Sequence, residues 1–495
     1  MAIEFSVTKT ILSAVTLGVI YTISILLYNV FLHPLRKYPG PLLARATIAT
    51  MQKQQLDGAF PRWMHELHLR YGPVVRYAPN ELSYIESDVV KSVYGHGKSD
   101  FQKQSVFYGK DLYGSPPGMI RANKESHARQ RKLVSHAFSD KALRDQEDIF
   151  KHYVGLLLSK LKERAAEKKP VDMVKWYNFT TFDIMADLTF GEPLGLLEGS
   201  EYTEWVAALF GHMKTITISS VIRRWELLET LFQKMVPRKL KEKQKLHLAH
   251  SSTRVDKRLA RETDRPDIWT YVTRHMGKDS GESLYPSEMH SNGALFMLAG
   301  TETTATELSG MTYHLLKDPS KMARLVKEVR GAFNSSDDID LINITQLEYL
   351  NACIEEGLRI YPPVPTNLPR QVPIGGATVN GEWVPGGTVV SLAQYASYHS
   401  EINFKNADSF IPERWIPEGQ KEYGSDHKHV FIPFSHGPRN CLGRNLAYHE
   451  MRLILASVLL NFDLELADDT VWPDQNVYIL WDKKPLMIKL TPVEK

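Results

Sequence analysis

Residues 434–443, with the sequence F-S-H-G-P-R-N-C-L-G, constrain this chain more than any other segment. They contain Cys441, one of only two cysteines among 495 residues. An apolar, helix-forming run follows over 442–460, so Cys441 should lie at a helix N-terminus, where free N–H groups and the helix dipole favour an anion. Such a position lowers the pKa of a thiol and keeps it as the thiolate that binds metals. The alternative interpretation is a small, buried hydrophobic residue near a helix start.

The other residues around Cys441 suit a large flat ligand. Gly437 and Gly443 allow tight turns and a close approach of the backbone, Phe434 would cover the sulfur side, and Arg439 would meet an anionic group. The pattern F-x-x-G-x-R-x-C-x-G resembles the cysteine-ligand loop of the cytochromes P-450, the haem-thiolate monooxygenases. This resemblance implies that Cys441 is the axial ligand of the haem iron, with Phe434, Gly437 and Arg439 in the cofactor site.

A long helix is predicted over 286–317, closed by Asp318-Pro319, and it contains A-G-T-E-T-T at 299–304. A glycine followed by threonines is poor helix material, so we expect a local distortion that leaves backbone groups free for water. Glu302 and Thr303 offer a carboxylate and a hydroxyl that could relay protons; the alternative is a polar patch buried at a helix crossing. The segment resembles the family's oxygen-activation motif, which implies that Thr303 hydrogen-bonds dioxygen and that Glu302 helps to deliver protons.

A second helix is predicted to begin at a capping box over 345–348 and to end before Pro362-Pro363. Within it, Glu356 and Arg359 are three residues apart and share a face. They could form a surface salt bridge, which would stabilise by ~0.5 kcal/mol at most. The pair also resembles the family's internal E-x-x-R motif, which is joined by the arginine of a P-E-R-W segment, here Arg414. The resemblance implies one buried network that fixes the cysteine loop, so that loss of one member would destabilise by ~3–5 kcal/mol.

Three further basic residues are candidates for cofactor binding. His127 and Arg131 are four residues apart, so they share one helix face, which could equally be a solvated basic surface. The resemblance implies that both reach a haem propionate, although the family commonly has tryptophan at the position of His127. Arg370 follows the extended segment 364–368 and matches a position where relatives bind a propionate.

The N-terminal segment 10–32 has no charged residue and is long enough for the ~20 residues that span a bilayer. Lys9 precedes it and several basic residues follow, which favours a cytosolic C-terminal side; a buried core helix is the alternative. Prolines and basic residues then indicate a stiff connector at the membrane surface. We therefore expect a membrane anchor at 1–33, a Pro-rich basic hinge at 34–45 and a haem-thiolate catalytic domain at 46–495.

The expected fold class is mainly α with small β-sheets: the cytochrome P-450 fold, preceded by one transmembrane helix. Strands are predicted at 74–77 and 82–85 as a hairpin, at 383–390 and at 485–490, and a turn is predicted at 476–480. Segment 225–236 is either an ordinary amphipathic surface helix or one that dips into the membrane beside a substrate entrance.

The composition excludes some function classes. A net charge of +3 gives no support to a nucleic-acid partner. Two cysteines cannot make a disulfide framework, which suits a reducing compartment. No dinucleotide-binding fingerprint is evident, so the resemblance implies haem b as cofactor and electrons from NADPH through a separate reductase. The residues expected near its docking face are Arg129, Lys132, Lys428, Arg439 and Arg444.

The resemblance also implies a single-pass protein of the endoplasmic reticulum membrane with its catalytic domain facing the cytosol. The sequence looks most like fungal members of secondary metabolism, which implies oxidation of a lipophilic polyketide, terpenoid or alkaloid. Detoxification of plant or aromatic compounds is the alternative within oxidation. Two other classes are a haem-thiolate isomerase or dehydratase that needs no external electrons, and a non-catalytic haem sensor or carrier.

Overall fold

The computed structural model describes residues 2–96, 101–109, 117–235, 238–276, 283–469 and 471–494. Most of these residues are helical, which confirms the predicted fold class. In chain order, the α-helices among the described residues are α1 Ala2–Phe31, α2 Leu42–Ala46, α3 Ala49–Leu56, α4 Phe60–Tyr71, α5 Ser105–Tyr108, α6 Lys124–Val134, α7 Asp140–Asp145, α8 Glu147–Ala166, α9 Met173–Phe190, α10 Leu196–Gly199, α11 Glu204–Arg223, α12 Glu226–Met235, α13 Arg238–Leu259, α14 Ile268–His275, α15 Pro286–Lys317, α16 Pro319–Ala332, α17 Glu348–Ile360, α18 Gln394–Tyr398, α19 Gln420–Tyr423 and α20 Arg444–Asn461.

The strands are short and form small sheets. In chain order, those among the described residues are β1 Val74–Ala78, β2 Glu81–Tyr84, β3 Gln102–Lys103, β4 Val171–Asp172, β5 Arg370–Gln371, β6 Ala377–Val379, β7 Glu382–Val384, β8 Val389–Leu392, β9 Phe462–Leu466, β10 Val477–Tyr478, β11 Leu480–Trp481 and β12 Met487–Pro492. The largest sheet has the order β1-β2-β8-β5-β3, and a second has the order β4-β12-β9. Within the larger sheet, β2 and β8 are parallel, with Leu82 opposite Val390.

The predicted strands are largely confirmed. The hairpin of β1 and β2 is antiparallel, with Val75 opposite Ser83, and β12 covers most of the strand predicted at 485–490. The single strand predicted over 383–390 is wrong, because it is two strands, β7 and β8, in different sheets. Gly387 lies between them with φ of +79°, a left-handed conformation that interrupts a strand and favours glycine.

The chain divides into two compact units. The sheet unit comprises Met1–Gln104, Thr366–Asn403 and His427–Phe431, and it contains the five-stranded sheet. The helical unit comprises Ser105–Pro365, Phe404–Asp426 and Ile432–Lys495. It contains α15, α17, α20 and the three-stranded sheet.

Helix α15 is the central helix of the helical unit. It packs against α9, α13, α17 and α20, and α9 is buried along nearly its whole length. Pro286 occupies the first turn of α15, where its missing N–H costs no hydrogen bond. The Glu288 carboxylate accepts a hydrogen bond from the backbone N–H of Tyr285 at 3.0 Å, which caps the N-terminus. The helix ends at Lys317, as predicted from Asp318-Pro319.

Helix α17 does not begin with the predicted capping box. Its N-cap is Leu347, whose side chain makes no capping hydrogen bond, and Thr345 lies in a preceding 3-10 turn. The cap comes instead from α16, where the Glu328 carboxylate accepts hydrogen bonds from the N–H groups of Tyr349 and Leu350, each at 2.8 Å. A tertiary contact has therefore replaced the local cap.

Two stretches of the described residues expose several large apolar side chains close together. In α1, residues Thr8–Phe31 have a mean hydropathy of 2.1 and none of this stretch is buried, so it is long and apolar enough to cross a membrane. The second lies at the start of α12 and is called the α12 patch here. Its members are Trp225, Leu228, Leu231 and Phe232, which are 46%, 54%, 56% and 40% exposed.

The turn predicted at 476–480 is confirmed as a tight hairpin in which β10 pairs with β11. Ile479 at its tip has φ of +72°, a conformation that is rare for a β-branched residue and costs about 1–3 kcal/mol. Trp481 anchors the hairpin, since its ring stacks on that of Tyr361 at 4.5 Å and its indole N–H donates to the Pro362 carbonyl at 2.8 Å.

Candidate active site

The cysteine loop is closed by its own backbone. The N–H of Cys441 donates to the carbonyl of Phe434 at 2.8 Å. Inside the loop, Ser435 and Gly437 have φ of +58° and +72°, so the glycine at 437 meets a real conformational need. Gly443 is the N-cap of α20, and a Cβ added there would meet nothing within 4 Å. No described protein group requires a glycine at 443, which leaves space beside Cys441.

The Cys441 side chain is exposed, yet burial within the surrounding protein raises the pKa of its thiol. Both facts hold if the sulfur faces an enclosed space inside the protein. The N–H of Gly443 and the charge of Arg131 lower the pKa, but by less than burial raises it. The expectation that the helix N-terminus alone would favour the thiolate is therefore wrong. A metal cation bound to the sulfur would supply the missing charge.

Arg131 is directed at the cysteine loop. Its Nη1 donates to the Asn440 carbonyl at 2.7 Å, and its Nη2 donates to the Asn440 side-chain oxygen. Burial lowers the pKa of the guanidinium, and the charge of Cys441 opposes this effect. His127 is buried on the same helix, α6. The structure thus brings Arg131 to the residue next to Cys441, whereas its predicted contact with a propionate stays a prediction.

Phe434 and Arg439 each contact a residue outside the loop. The Phe434 ring contacts the Tyr448 ring of α20 at 5.1 Å, and the Tyr448 hydroxyl donates to Glu355 of α17 at 2.7 Å. Arg439 is half-buried and its Nη1 reaches the Met119 carbonyl at 3.5 Å. The position of the Phe434 ring therefore depends on a contact chain that runs back to α17.

The A-G-T-E-T-T segment is regular helix, so the predicted distortion of α15 is wrong. The threonine hydroxyls find hydrogen-bond acceptors within the helix, because each donates to the carbonyl four residues earlier. Thr301 donates to Met297 at 2.6 Å, and Thr303 donates to Ala299 at 2.7 Å. Thr303 is half-buried and Ala299 is exposed, although the neighbouring faces of α15 are packed. This stripe of accessible residues indicates an open space along one face of the helix.

Glu302 is buried and paired with a cation that the sequence did not reveal. Lys483 donates to Oε1 of Glu302, and also to the Thr306 hydroxyl at 2.7 Å. Burial raises the pKa of Glu302, and the charge and hydrogen bond of Lys483 partly offset this effect. The other carboxylate oxygen, Oε2, is buried and has no hydrogen-bond partner among the described residues.

A second buried carboxyl follows one turn further along α15. The pKa of Glu307 is raised well above its ordinary value by burial and then by the charge of Glu355, and both effects favour the neutral acid. It packs against α17 at Gly357, where an added Cβ would lie 2.1 Å from Glu307 Oε1. The absence of a side chain at Gly357, between Glu356 and Arg359, therefore leaves the space into which Glu307 fits.

Glu356, Arg359 and Arg414 meet in the interior of the helical unit, where all three side chains are fully buried. Glu356 accepts from Arg359 Nε at 2.9 Å and from Arg359 Nη2 at 2.7 Å, and it accepts from Arg414 Nε at 3.1 Å. The indole of Trp415 donates to the same carboxylate at 2.8 Å, and so does the N–H of Ile411 at 2.7 Å.

The rest of this network is also satisfied. Arg359 donates to the carbonyls of Ala407 and Ser409 at 2.6 and 2.8 Å, and Arg414 pairs with Asp426. Burial would raise the pKa of Glu356, but the two guanidiniums and the Ile411 N–H together hold it below its ordinary value. The structure thus brings together the residues that the sequence linked, as an internal group rather than a surface salt bridge.

Arg370 belongs to the sheet unit. It lies in β5, is 3% exposed, and its guanidinium lies over the Tyr94 ring at 5.1 Å. Its Nη1 donates to the Pro369 carbonyl at 3.2 Å.

The basic residues expected at an electron-donor surface differ in availability. Arg129 is an internal partner instead, because its Nη1 donates to Glu288 at 3.0 Å and to the Ser283 carbonyl. Arg444 and Lys132 are exposed, and Lys428 is half-buried. The charge of Arg129 is balanced by a carboxylate that is almost fully buried, and its place on a donor-facing surface stays a prediction.

Sequence reasoning missed four residues that support the site: Lys483, Asn440, Tyr448 and Glu355. Asn440 is the neighbour of Cys441, and Glu355 that of Glu356, so adjacency to a motif was an available signal. Lys483 lies 181 residues from its partner Glu302, and its sequence context gives no sign of that contact.

These features define a class of protein. A loop presents one accessible cysteine sulfur at the start of a helix, and a central helix carries an accessible threonine beside a buried acid. Among the described residues there is no group of three or more histidine, cysteine, aspartate or glutamate side chains that could hold a metal ion. A single accessible sulfur suits a metal that is held within a larger cofactor. That is the arrangement of a haem-thiolate enzyme.

The comparisons with known proteins agree. A sequence model described as cytochrome P450 matches residues 39–490. The chain is 46% identical to cytochrome P-450 monooxygenase efuB of Hormonema carpetanum, over 97% of this chain and 96% of the relative. It is 44% identical to cytochrome P-450 monooxygenase FUM2 of Gibberella moniliformis, over 95% of this chain and 100% of the relative. It is 40% identical to averantin hydroxylase of Dothistroma septosporum, over 96% of this chain and 90% of the relative.

The chain therefore belongs to the cytochrome P-450 family. It is a monooxygenase that uses haem b and electrons from NAD(P)H supplied by a reductase, and it belongs to the type found in fungal secondary metabolism. The predicted family, activity class and cofactor are thus confirmed. The family implies a redox partner and a lipophilic substrate. The residues fit the cofactor, because the Cys441 side chain is accessible and the accessible face of α15 belongs to the same unit.

Proposed function

We propose that this chain hydroxylates a lipophilic small molecule, and that the substrate is a multi-ring polyketide, terpenoid or alkaloid. The observation that carries the proposal is the accessible thiol of Cys441 within a loop closed by the protein's own backbone. Hydroxylation is the reaction type that the name of one relative, averantin hydroxylase, also gives.

In this proposal Cys441 Sγ would hold the haem iron, and the haem would supply the oxidising chemistry. Phe434 would cover the sulfur, and Gly437 gives the loop its turn. The basic residues that would bind the propionates are His127, Arg131, Arg370 and Arg439. Arg131 has a second role, because its bonds to Asn440 hold the residue before Cys441 in place.

The proton path that we propose runs along α15. The Glu302 carboxyl holds a proton on an interior oxygen and passes it towards the accessible hydroxyl of Thr303. This hydroxyl exchanges its bond to the Ala299 carbonyl for one to the reacting oxygen. A carboxyl whose pKa lies above its ordinary value is better matched to proton transfer near neutral pH than an exposed one. Glu356, Arg359 and Arg414 perform no chemistry and fix the fold around the cysteine loop.

The substrate can be identified by expressing the chain with a reductase in strains that make candidate precursors, and by reading the products with mass spectrometry. New oxygenated products that require NADPH support the proposal. Products formed without NADPH and reductase would identify an isomerase or dehydratase. Turnover confined to plant or aromatic toxins would favour detoxification.

We expect Thr303→Ala to separate electron use from product formation. NADPH oxidation should continue, while product formed per NADPH falls by at least about tenfold and hydrogen peroxide rises, because positioned proton-transfer groups contribute ~10²–10⁴-fold. The measurement is product, NADPH and peroxide in one reaction with the substrate identified above. Thr301→Val is the matched control, since the Thr301 hydroxyl is fully buried and donates only within its own helix. Equal coupling in Thr303→Ala and wild type would contradict the proposed path.

We also propose that α1 anchors the protein in the endoplasmic reticulum membrane with the catalytic part in the cytosol. An unburied stretch of 24 residues with a mean hydropathy of 2.1 supports a span, and the basic residues that follow it support this orientation. The α12 patch supports a second, shallower contact with the same membrane.

The full chain should stay in the membrane when alkali is added. After removal of residues 1–33, high pH should extract the protein from the membrane, because only the shallow contact of the α12 patch remains. Adding Leu228→Glu and Leu231→Glu should then leave the protein in the supernatant at neutral pH. Sedimentation with vesicles of neutral and anionic phospholipid measures both steps. Extraction of the full chain by alkali would contradict the span, and full solubility after truncation alone would make α12 an ordinary surface helix.

A further inference from the structure

The contact between Lys483 and Glu302 connects the C-terminal part of the chain to the middle of α15. Lys483 lies between β11 and β12, and its ammonium binds Glu302 and Thr306, which are four residues apart on one face of the helix. The side chains of Lys483 and Glu302 are only 4% and 6% exposed. Both partners of this ion pair are therefore shielded from solvent.

Stability alone gives a poor reason for such a pair. Two charges removed from water lose hydration that their attraction only partly restores, and well-packed apolar residues often stabilise a fold as much or more. The pair is also incompletely satisfied, because Glu302 Oε2 has no hydrogen-bond partner among the described residues. An incompletely satisfied buried charge pair, next to the accessible Thr303, points to a role in the reaction.

Lys483 is held so that its ammonium meets α15 at a fixed place. The preceding residues are anchored by the stacking of Trp481 on Tyr361 and by the bond from the Asp482 N–H to the Asn476 carbonyl at 2.8 Å. The following residue, Lys484, points elsewhere, because its ammonium donates to the Asp474 carbonyl at 2.7 Å in an exposed position.

Lys483 is the charged group that acts on the pKa of Glu302. Among the described residues, the phenols of Tyr361 and Tyr202 on other elements interact electrostatically with Glu302, and both are neutral because burial raises the pKa of each. Burial also raises the pKa of Glu307 on the same helix, which favours its neutral form. Lys483 is therefore the charge that opposes the effect of burial on Glu302.

We propose that Lys483 is a positioning residue of the monooxygenase reaction, which holds the Glu302 carboxyl in place and stabilises it each time it has given up its proton. The inference rests on the proposed proton path through Glu302 and Thr303. In each transfer the O–H bond of the carboxyl breaks and the proton leaves towards Thr303. The remaining negative charge stays paired with the ammonium until a proton from water restores the acid.

Infrared spectroscopy of the holoenzyme tests this directly. The C=O stretch of protonated Glu302 is identified by subtracting the spectrum of Glu302→Gln, and its amplitude is followed with pH. In Lys483→Met the carboxyl should stay protonated to higher pH, with the midpoint raised by about one pH unit or more, because an opposite charge at this range shifts a carboxyl by about that much. In Lys483→Arg the Glu302 midpoint should return most of the way to the wild-type value. In Lys484→Met the Glu302 midpoint should equal that of wild type.

Coupling is measured in the same variants with reductase, NADPH and the identified substrate. Lys483→Met should release more hydrogen peroxide per NADPH than wild type, and Lys484→Met should not. An unchanged Glu302 midpoint in folded, haem-loaded Lys483→Met would overturn the inference, as would full coupling in a variant whose midpoint has moved. Thr303→Ala tests the proton path independently of Lys483. If Thr303→Ala is uncoupled while Lys483→Met behaves as wild type, the role of Lys483 is rejected and the proton path is retained.

Discussion

Replacing Cys441 with serine is expected to abolish monooxygenase activity and to remove the strongly red-shifted Soret band that the reduced protein should show under carbon monoxide. That band requires a thiolate bound to the iron, and a hydroxyl in the same place cannot supply the electron density that favours cleavage of the O–O bond. The measurement is a reduced difference spectrum under carbon monoxide, followed by product analysis at equal protein concentration.

Cys353 provides the matched control, because it is the other cysteine of the chain and is fully buried in α17. Burial raises the pKa of its thiol well above the ordinary value, so it is an inert core residue. Cys353→Ala should retain the red-shifted band, with only the modest loss of stability that follows from a small cavity. A wild-type band in Cys441→Ser, or its absence from folded, haem-loaded wild type, would contradict the assignment of the ligand.

Replacing Glu356 with glutamine should produce the second-largest effect, a loss of about 3–5 kcal/mol of stability, because two buried guanidiniums lose the charge that balances them. Haem loading should fall with it if, as proposed, the network fixes the fold around the cysteine loop. Chemical denaturation measures the first quantity, and haem absorbance per protein measures the second.

The wild-type network also predicts a dependence on pH. The pKa of Glu356 is lower in the folded protein than its ordinary 4.5, so its contribution is complete above that value and disappears as the pH falls through the folded pKa. The acid-induced loss of stability below about pH 4.5 should therefore be smaller in Glu356→Gln.

Glu418→Gln is the control for this network. Glu418 forms an exposed ion pair with Arg324 at 2.6 Å, and exposed pairs contribute little. We expect no measurable change in the denaturation midpoint. Equal effects of the substitutions at 356 and 418 would show that burial does not set the strength of the network.

The parts of the site that the sequence predicts are those in which the interacting residues lie close together in one short segment. The spacing of Glu356 and Arg359 puts both on one helix face, and the loop around Cys441 carries its own glycine turn. The long helix over 286–317 is also evident, because a proline at each end sets its limits. In each case the local residues are sufficient to fix the geometry.

The parts that the sequence does not predict depend on contacts between distant segments. The cap of α17 comes from Glu328 on another helix, and the cation beside Glu302 comes from a loop near the C-terminus. The predicted distortion of α15 fails for a different reason. Threonine has a low intrinsic helix propensity, but its hydroxyls can bond the preceding turn when the helix is held by packing on several sides.

The fit of Glu307 against Gly357 limits how the chain can vary. A methyl group at 357 would fall 2.1 Å from the Glu307 carboxyl, so Gly357→Ala should be tolerated only together with a shorter side chain at 307. Two segments that look like separate signatures are thus one interlocking pair, and redesign of either must treat them jointly.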